Sequence, residues 1–143
     1  MANTRAPRFV LDCSVVLSWY FADESDPFAD AVAASLTGST AVVPSLFHLE
    51  IANILVVGER RKRSTEAQAA AFLASMAALP IVVDDQTGTR AWAETIDLAR
   101  AYGLSAYDAA YLELASRESL PIATLDDRLK SAAKSAGVPF FKP

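Results

Sequence analysis

Four carboxylates occupy places where simple hydration does not account for them: Asp12, Glu50, Asp108 and Asp126. Asp12 interrupts the apolar run Phe9-Val10-Leu11-Asp12-Cys13-Ser14-Val15-Val16-Leu17, where desolvation of a charge is costly without a partner. Glu50 falls within Leu46–Val56, a segment that is nearly apolar all round, on a face that should be at least partly buried; Asn53 lies one turn further along that face. Asp108 comes three residues after Ser105, and Asp126 two after Thr124. Taken singly, Asp12 and Asp126 suit helix caps, Asp108 suits the acid of a capping box, and Glu50 suits an ion pair with an unnamed base. Taken together, they cannot all be ionised at close range without a cation, and an all-oxygen donor set selects a hard divalent ion, Mg²⁺ or Mn²⁺. Such ions retain waters and bind phosphate oxygens, so phosphodiester hydrolysis is the matching chemistry.

Other chemistries have little material. One cysteine, Cys13, excludes an internal disulfide and a multi-cysteine zinc site. It reads as a buried structural thiol beside an apolar strand. The single histidine, His48, has no second histidine and reads as a structural residue near the site. Thirteen basic residues against seventeen acidic give a net charge of −4, which argues against a sequence-independent polyanion binder. Setting the four acids aside leaves a balanced surface. At 52% apolar and 21% charged, the composition is that of a soluble globular protein. No apolar run reaches the ~20 residues that span a bilayer. The first residues lack the apolar region and cleavage site of a secretory signal, so a cytoplasmic protein with no membrane contact is expected.

The elements that would carry these acids alternate. Phe9–Leu11, Ala41–Val43, Ile81–Val83, Pro121–Leu125 and Val138–Phe141 read as five short strands. Helices are expected from Ser14 to Phe21, Ala29 to Leu36, Ser45 (as cap) to Lys62, Ser64 to Leu79, Thr87 to Ala101, Ser105 to Arg117 and Asp126 to Ala136. Such alternation predicts a mostly parallel sheet covered on both faces. Functional groups in these folds gather beyond the carboxyl ends of strands, which is where Asp12 and Asp126 fall. Arg60, Arg61, Lys62 and Arg63 close a helix where cations suit the macrodipole, a solvated end rather than an RNA contact. Trp19, Tyr20 and Phe21 read as packing residues.

The stretches "FVLDCSVVLSWY", "VPSLFHLEIANIL" and "LSAYDAAYLELASRESLPIATLDDRL" resemble, in order and spacing, the PIN domain, and within it the VapC toxins of bacterial toxin–antitoxin pairs. The likeness covers essentially the whole chain, 1–143, as one PIN domain with a three-layer α/β/α fold around a five-stranded sheet. It implies a Mg²⁺-dependent endoribonuclease silenced by a cognate VapB-like antitoxin, and a homodimer. It further implies that Asp12, Glu50, Asp108 and Asp126 are the metal-binding and catalytic acids, supported by Ser14, Asn53 and Thr124, with Asp127 a second choice for Asp126. The implied products carry 5′-phosphate and 3′-hydroxyl ends.

Two other assignments compete. A phosphoreceiver domain shares a five-stranded α/β plan and would use Asp12 for metal, Asp84 as phosphoacceptor, Thr124 as switch hydroxyl and Lys142 as basic partner. It leaves Glu50 and Asp108 without a role. A PIN-fold binding module without catalysis is the other.

Overall fold

The computed structural model describes residues 6–143. Strand β1 (Arg8–Leu11) is the reason the opening run is continuously apolar: Phe9, Val10 and Leu11 are all fully buried. A parallel strand covered on both faces shows no alternation. β1 pairs in parallel with β2 (Thr40–Val43) on one side and β4 (Ile122–Ala123) on the other; β3 (Ile81–Val83) pairs in parallel with β2. The order is β3-β2-β1-β4, with helices flanking the sheet. β3 is an edge, and Val82 and Val83 are exposed on it.

The expected fifth strand is not formed. Val138–Phe141 contributes one parallel bridge, Phe140 to Ile122, fixed by Ile122 N–H donating to the Pro139 carbonyl and Phe141 N–H to the Ile122 carbonyl. The ladder stops because β4 is two residues long and Pro139 has no N–H to donate. The Phe141 ring, stacked on Phe9 at 3.9 Å, anchors the tail instead.

Helix α1 (Cys13–Tyr20) follows β1 after the single residue Asp12, and α2 (Pro27–Ser35) starts from Asp26, whose carboxylate accepts from Phe28 and Ala29 N–H. α3 (Phe47–Arg60) begins one residue later than expected: Ser45 does not cap it but donates its N–H to Thr87 Oγ1. Glu50 therefore lies in the first turn. α4 (Glu66–Ala77) opens with a full capping box between Thr65 and Gln68. α1 and α3 approach closely at Gly58, where a Cβ would stand 2.9 Å from the Phe21 ring. Arg63 stacks on that same ring and pairs with Asp23 and Glu24, so it locks the α3–α4 turn and is not a free cation.

The long helix after β3 is continuous but not uniform: α5 (Thr87–Arg90) passes through a π turn (Ala91–Thr95) into α6 (Ile96–Tyr102) and ends at Gly103, φ +64°. A left-handed residue there suits glycine. α7 (Ala106–Glu118), capped by Ser105, packs on β1, and α8 (Asp127–Ser135) packs on α7. No helix among the described residues is long and apolar enough to cross a membrane.

Candidate metal centre

Asp12 occupies the N-cap position of α1 yet makes no side-chain cap. Its Oδ2 instead accepts from Ser14 Oγ at 2.6 Å and Thr124 Oγ1 at 2.8 Å. These hydroxyls are themselves donated to, by the backbone N–H of Leu125 and of Asp126 respectively. Backbone donors from the β4–α8 loop thus reach the carboxylate through two hydroxyl relays, an arrangement whose members strengthen one another. Both hydroxyl bonds fall on the same carboxylate oxygen, Oδ2. Asp12 is 3% exposed; burial raises its pKa, the two hydroxyls pull it down, and the charge of Asp108 pushes it up again.

Glu50 has no basic partner among the described residues, contrary to the simplest local expectation. Its Oε1 accepts from Tyr111 Oη at 2.6 Å and its Oε2 faces the Cys13 thiol at 3.5 Å. Its pKa is raised by burial, against the pull of Tyr111, and further by Asp12 and Asp108. Asp108 lies half-buried in the first turn of α7, where its N–H donates to Ser105 Oγ. Burial and the charge of Asp126 raise its pKa, against the pull of Ser105 and of the Arg128 charge.

Glu50 therefore feels the charge of Asp12 and Asp108, Asp12 feels that of Asp108, and none of the three forms an ion pair among the described residues. Asp126 stands at the margin of this group: it acts on Asp108, while its Oδ1 caps α8 by accepting from Leu129 N–H at 2.9 Å. Asp127 is exposed on the first turn of α8. Asn53 is exposed and its side chain makes no hydrogen bond among the described residues. His48 is also exposed; it meets Phe47 edge-on and faces the groove between α3 and α4, not the acids.

The donor set suits a hard cation that keeps much of its water. Among the described residues no three His, Cys, Asp or Glu side chains stand close enough to hold an ion directly. Mg²⁺ is commonly bound through one or two carboxylates with water completing the shell, so mutually repelling, oxygen-only acids fit it.

Tyr111 closes the Ser105-x-x-Asp108-x-x-Tyr111 pattern in the sequence, but neither it nor Cys13 was expected to act at the site. The signal available for Tyr111 was its place one turn beyond Asp108, which puts both on one side of α7. Cys13 is half-buried, and burial with the neighbouring acids pushes its thiol well above the ordinary range. That keeps it a donor and not a nucleophile.

Asp84, the phosphoacceptor of the competing assignment, is taken. Its carboxylate receives Arg117 at 2.7 and 3.2 Å and its side chain is 8% exposed. The strand order also sets β2 between β3 and β1, so Asp84 and Asp12 do not end neighbouring strands as a receiver requires.

Residues 9–135 of this parallel, helix-flanked chain match the PIN domain family; the chain belongs to that family. Two solved structures are similar to it. The Mycobacterium tuberculosis toxin VapC20, described as cleaving the sarcin–ricin loop, shares 16% identity at a TM-score of 0.63, over 94% of this chain and 99% of that one. FitAcB from Neisseria gonorrhoeae shares 21% identity at a TM-score of 0.50, over 94% of this chain and 97% of that one. No curated protein matches the chain.

Proposed function

We propose that the chain is a divalent-metal-dependent endoribonuclease of the VapC toxin type, built on Asp12, Glu50, Asp108 and Asp126. The observation that carries this is the convergence of three acids from the end of β1, α3 and α7, each with its pKa raised in part by another acid and none in an ion pair among the described residues. RNA as the substrate class rests on the description of VapC20 as a sarcin–ricin-loop-cleaving toxin. Asp12, Glu50 and Asp108 would hold Mg²⁺ or Mn²⁺ in part through the ion's own water shell, and a bound divalent cation supplies the acidified water and the charge neutralisation that phosphodiester hydrolysis needs. Ser14 and Thr124 orient Asp12, Tyr111 and Cys13 hold Glu50, and Asp126 adds negative charge at the α8 margin. Asn53, free and exposed one turn from Glu50, is available to the RNA.

A VapB-like antitoxin is the proposed protein partner, and a groove of about 510 Å³ between α3 and α4, lined by Phe47, Ile51, Leu55, Leu73 and Met76, supports an apolar contact. Exposed Val82, Val83 and the 91%-exposed Trp92 support self-association as a homodimer.

Purified protein incubated with structured RNAs is expected to cleave with Mg²⁺ or Mn²⁺ and not with chelator. Asp84→Asn, away from the acids, is expected to retain cleavage when folded. Cleavage undiminished by chelator would refute the metal assignment; no cleavage of any RNA would favour the binding module.

Asp126 separates two roles cleanly. Asp126→Ala removes a cap and is expected to cost about 1 kcal/mol of stability. Asp126→Asn retains the capping oxygen, so it is expected to keep stability while reducing cleavage roughly tenfold, the lower end for residues that tune a metal site. Wild-type cleavage by the Asn variant would reduce Asp126 to a cap.

A further inference from the structure

We propose that Tyr111, with Cys13 as a weaker counterpart, is a positioning residue that holds the Glu50 carboxylate ready for a divalent cation. The inference rests on the metal-dependent reading above and assigns a part of its site to residues other than the acids. The Tyr111 Oη–Glu50 Oε1 contact is 2.6 Å, in the range of a charge-assisted O–H···O⁻ bond. Tyr111 is fully buried, so its ring is held by packing and its hydroxyl marks a fixed point. Glu50 is only partly buried, in the first turn of α3; without that bond its long side chain would be free to turn to water, at the rotamer entropy typical of glutamate.

The donors' places in the chain matter as much as the bonds. Tyr111 follows Asp108 by one turn of α7, and Cys13 is the residue after Asp12. The two groups that orient Glu50 therefore belong to the segments that carry the other two acids, and the three carboxylates are set relative to one another. Both donors are neutral. A phenol and a thiol ordinarily lose their protons only near pH ~10 and ~8.5. A lysine or arginine in either place would orient Glu50 but also neutralise it, competing with the cation. Neutral donors orient the acid and leave its charge to the metal. Each takes one lone-pair direction of one oxygen, and a carboxylate offers about four.

The test is Mn²⁺ binding to the full chain, followed by electron paramagnetic resonance, for wild type, Tyr111→Phe, Glu50→Gln and the double variant, with Cys13→Ala and Cys13→Ser alongside. Tyr111→Phe keeps the ring and is expected to bind about tenfold more weakly. In the Glu50→Gln background the same change is expected to add nothing, because Tyr111 acts only through Glu50. Cys13→Ala is expected to show a smaller loss, also absent from the Glu50→Gln background, and Cys13→Ser to restore binding by supplying a hydroxyl donor. Should Tyr111→Phe fail to fold, the cysteine pair carries the same comparison. Wild-type affinity in Tyr111→Phe, or an equal loss with and without Glu50, overturns the positioning role alone. Absence of Mn²⁺ binding by the wild-type protein overturns the metal-dependent function together with it.

Discussion

Asp12→Asn is expected to lower metal-dependent RNA cleavage roughly 10²- to 10³-fold, the loss of several kcal/mol of charge stabilisation at the reacting phosphate, without unfolding the protein. The amide is nearly isosteric, and its oxygen can still accept from Ser14 and Thr124, which hold Oδ2 in the native protein. What disappears is the charge, and that charge sits at 3% exposure with no cationic partner among the described residues. Its folded pKa lies above the ordinary value of 3.8, so the folded chain binds this proton more tightly than the unfolded chain does. The associated stability is complete below the ordinary carboxylate value and is lost as pH rises through the raised folded value. Glu50 and Asp108 act in the same sense. In chelator, the thermal midpoint of the wild type is therefore expected to fall relative to that of Asp12→Asn as pH rises from about 4 to about 7. Mg²⁺ is expected to raise the midpoint of the wild type more than that of the variant, since only binding to the folded state stabilises it. Cleavage within twofold of wild type, or parallel midpoint curves, would contradict the role given to Asp12.

The second large effect is structural. Arg117 binds Glu113 through Nε at 2.7 Å and Asp84 through Nη2 at 2.7 Å, with second contacts of 3.2 Å to each, and reaches the more exposed Glu118 at 3.3 Å. The Arg117, Asp84 and Glu113 side chains are 14%, 8% and 5% exposed. Removing the guanidinium leaves two buried carboxylates without a counter-charge, a change that typically costs about 3–5 kcal/mol. Against the ~5–15 kcal/mol stability of an ordinary domain, Arg117→Ala is expected to bring the chain close to unfolding at ambient temperature. Arg117→Lys is expected to recover only part, because a point charge cannot serve two carboxylates with paired bonds. Urea unfolding of the three proteins gives the comparison; a midpoint for Arg117→Ala within ~0.5 kcal/mol of wild type, the scale of a neutral surface change, would refute it. The network ties the end of β3 to α7; Asp84→Asn leaves Arg117 paired with Glu113, whereas Arg117→Ala removes the tie altogether.

Local patterns carried much of the fold. The uninterrupted Phe9-Val10-Leu11 run marked a central parallel strand, Gly103 marked a helix end, and Ser105 marked the start of α7 because its hydroxyl does cap it. The motif order led to the PIN family, which the match over residues 9–135 bears out. Partnerships across the chain were not legible in the same way. Glu50 and Tyr111 are 61 residues apart, and Asp84 and Arg117 are 33 apart. Glu113 in a sequence reads as a charge on a solvated helix face, yet it is buried because Arg117, one turn on, reaches both it and β3's end. The false strand at Val138–Phe141 came from apolar residues whose job is to stack on the core, Phe141 on Phe9, rather than to extend a ladder. Ser45 looked like a cap, but the chain turns once more, with Phe47 N–H on the Pro44 carbonyl, before α3 begins.

The most direct test of the metal-dependent hydrolytic centre is the chemistry of the ends it leaves. End-labelled RNA cleaved by the wild-type protein in Mg²⁺ is expected to carry 5′-phosphate and 3′-hydroxyl termini, in amounts that fall to background in chelator and in Asp12→Asn. Termini bearing a 2′,3′-cyclic phosphate, produced equally without metal and by Asp12→Asn, would mean attack by the RNA's own 2′-hydroxyl and would contradict a centre built on these acids.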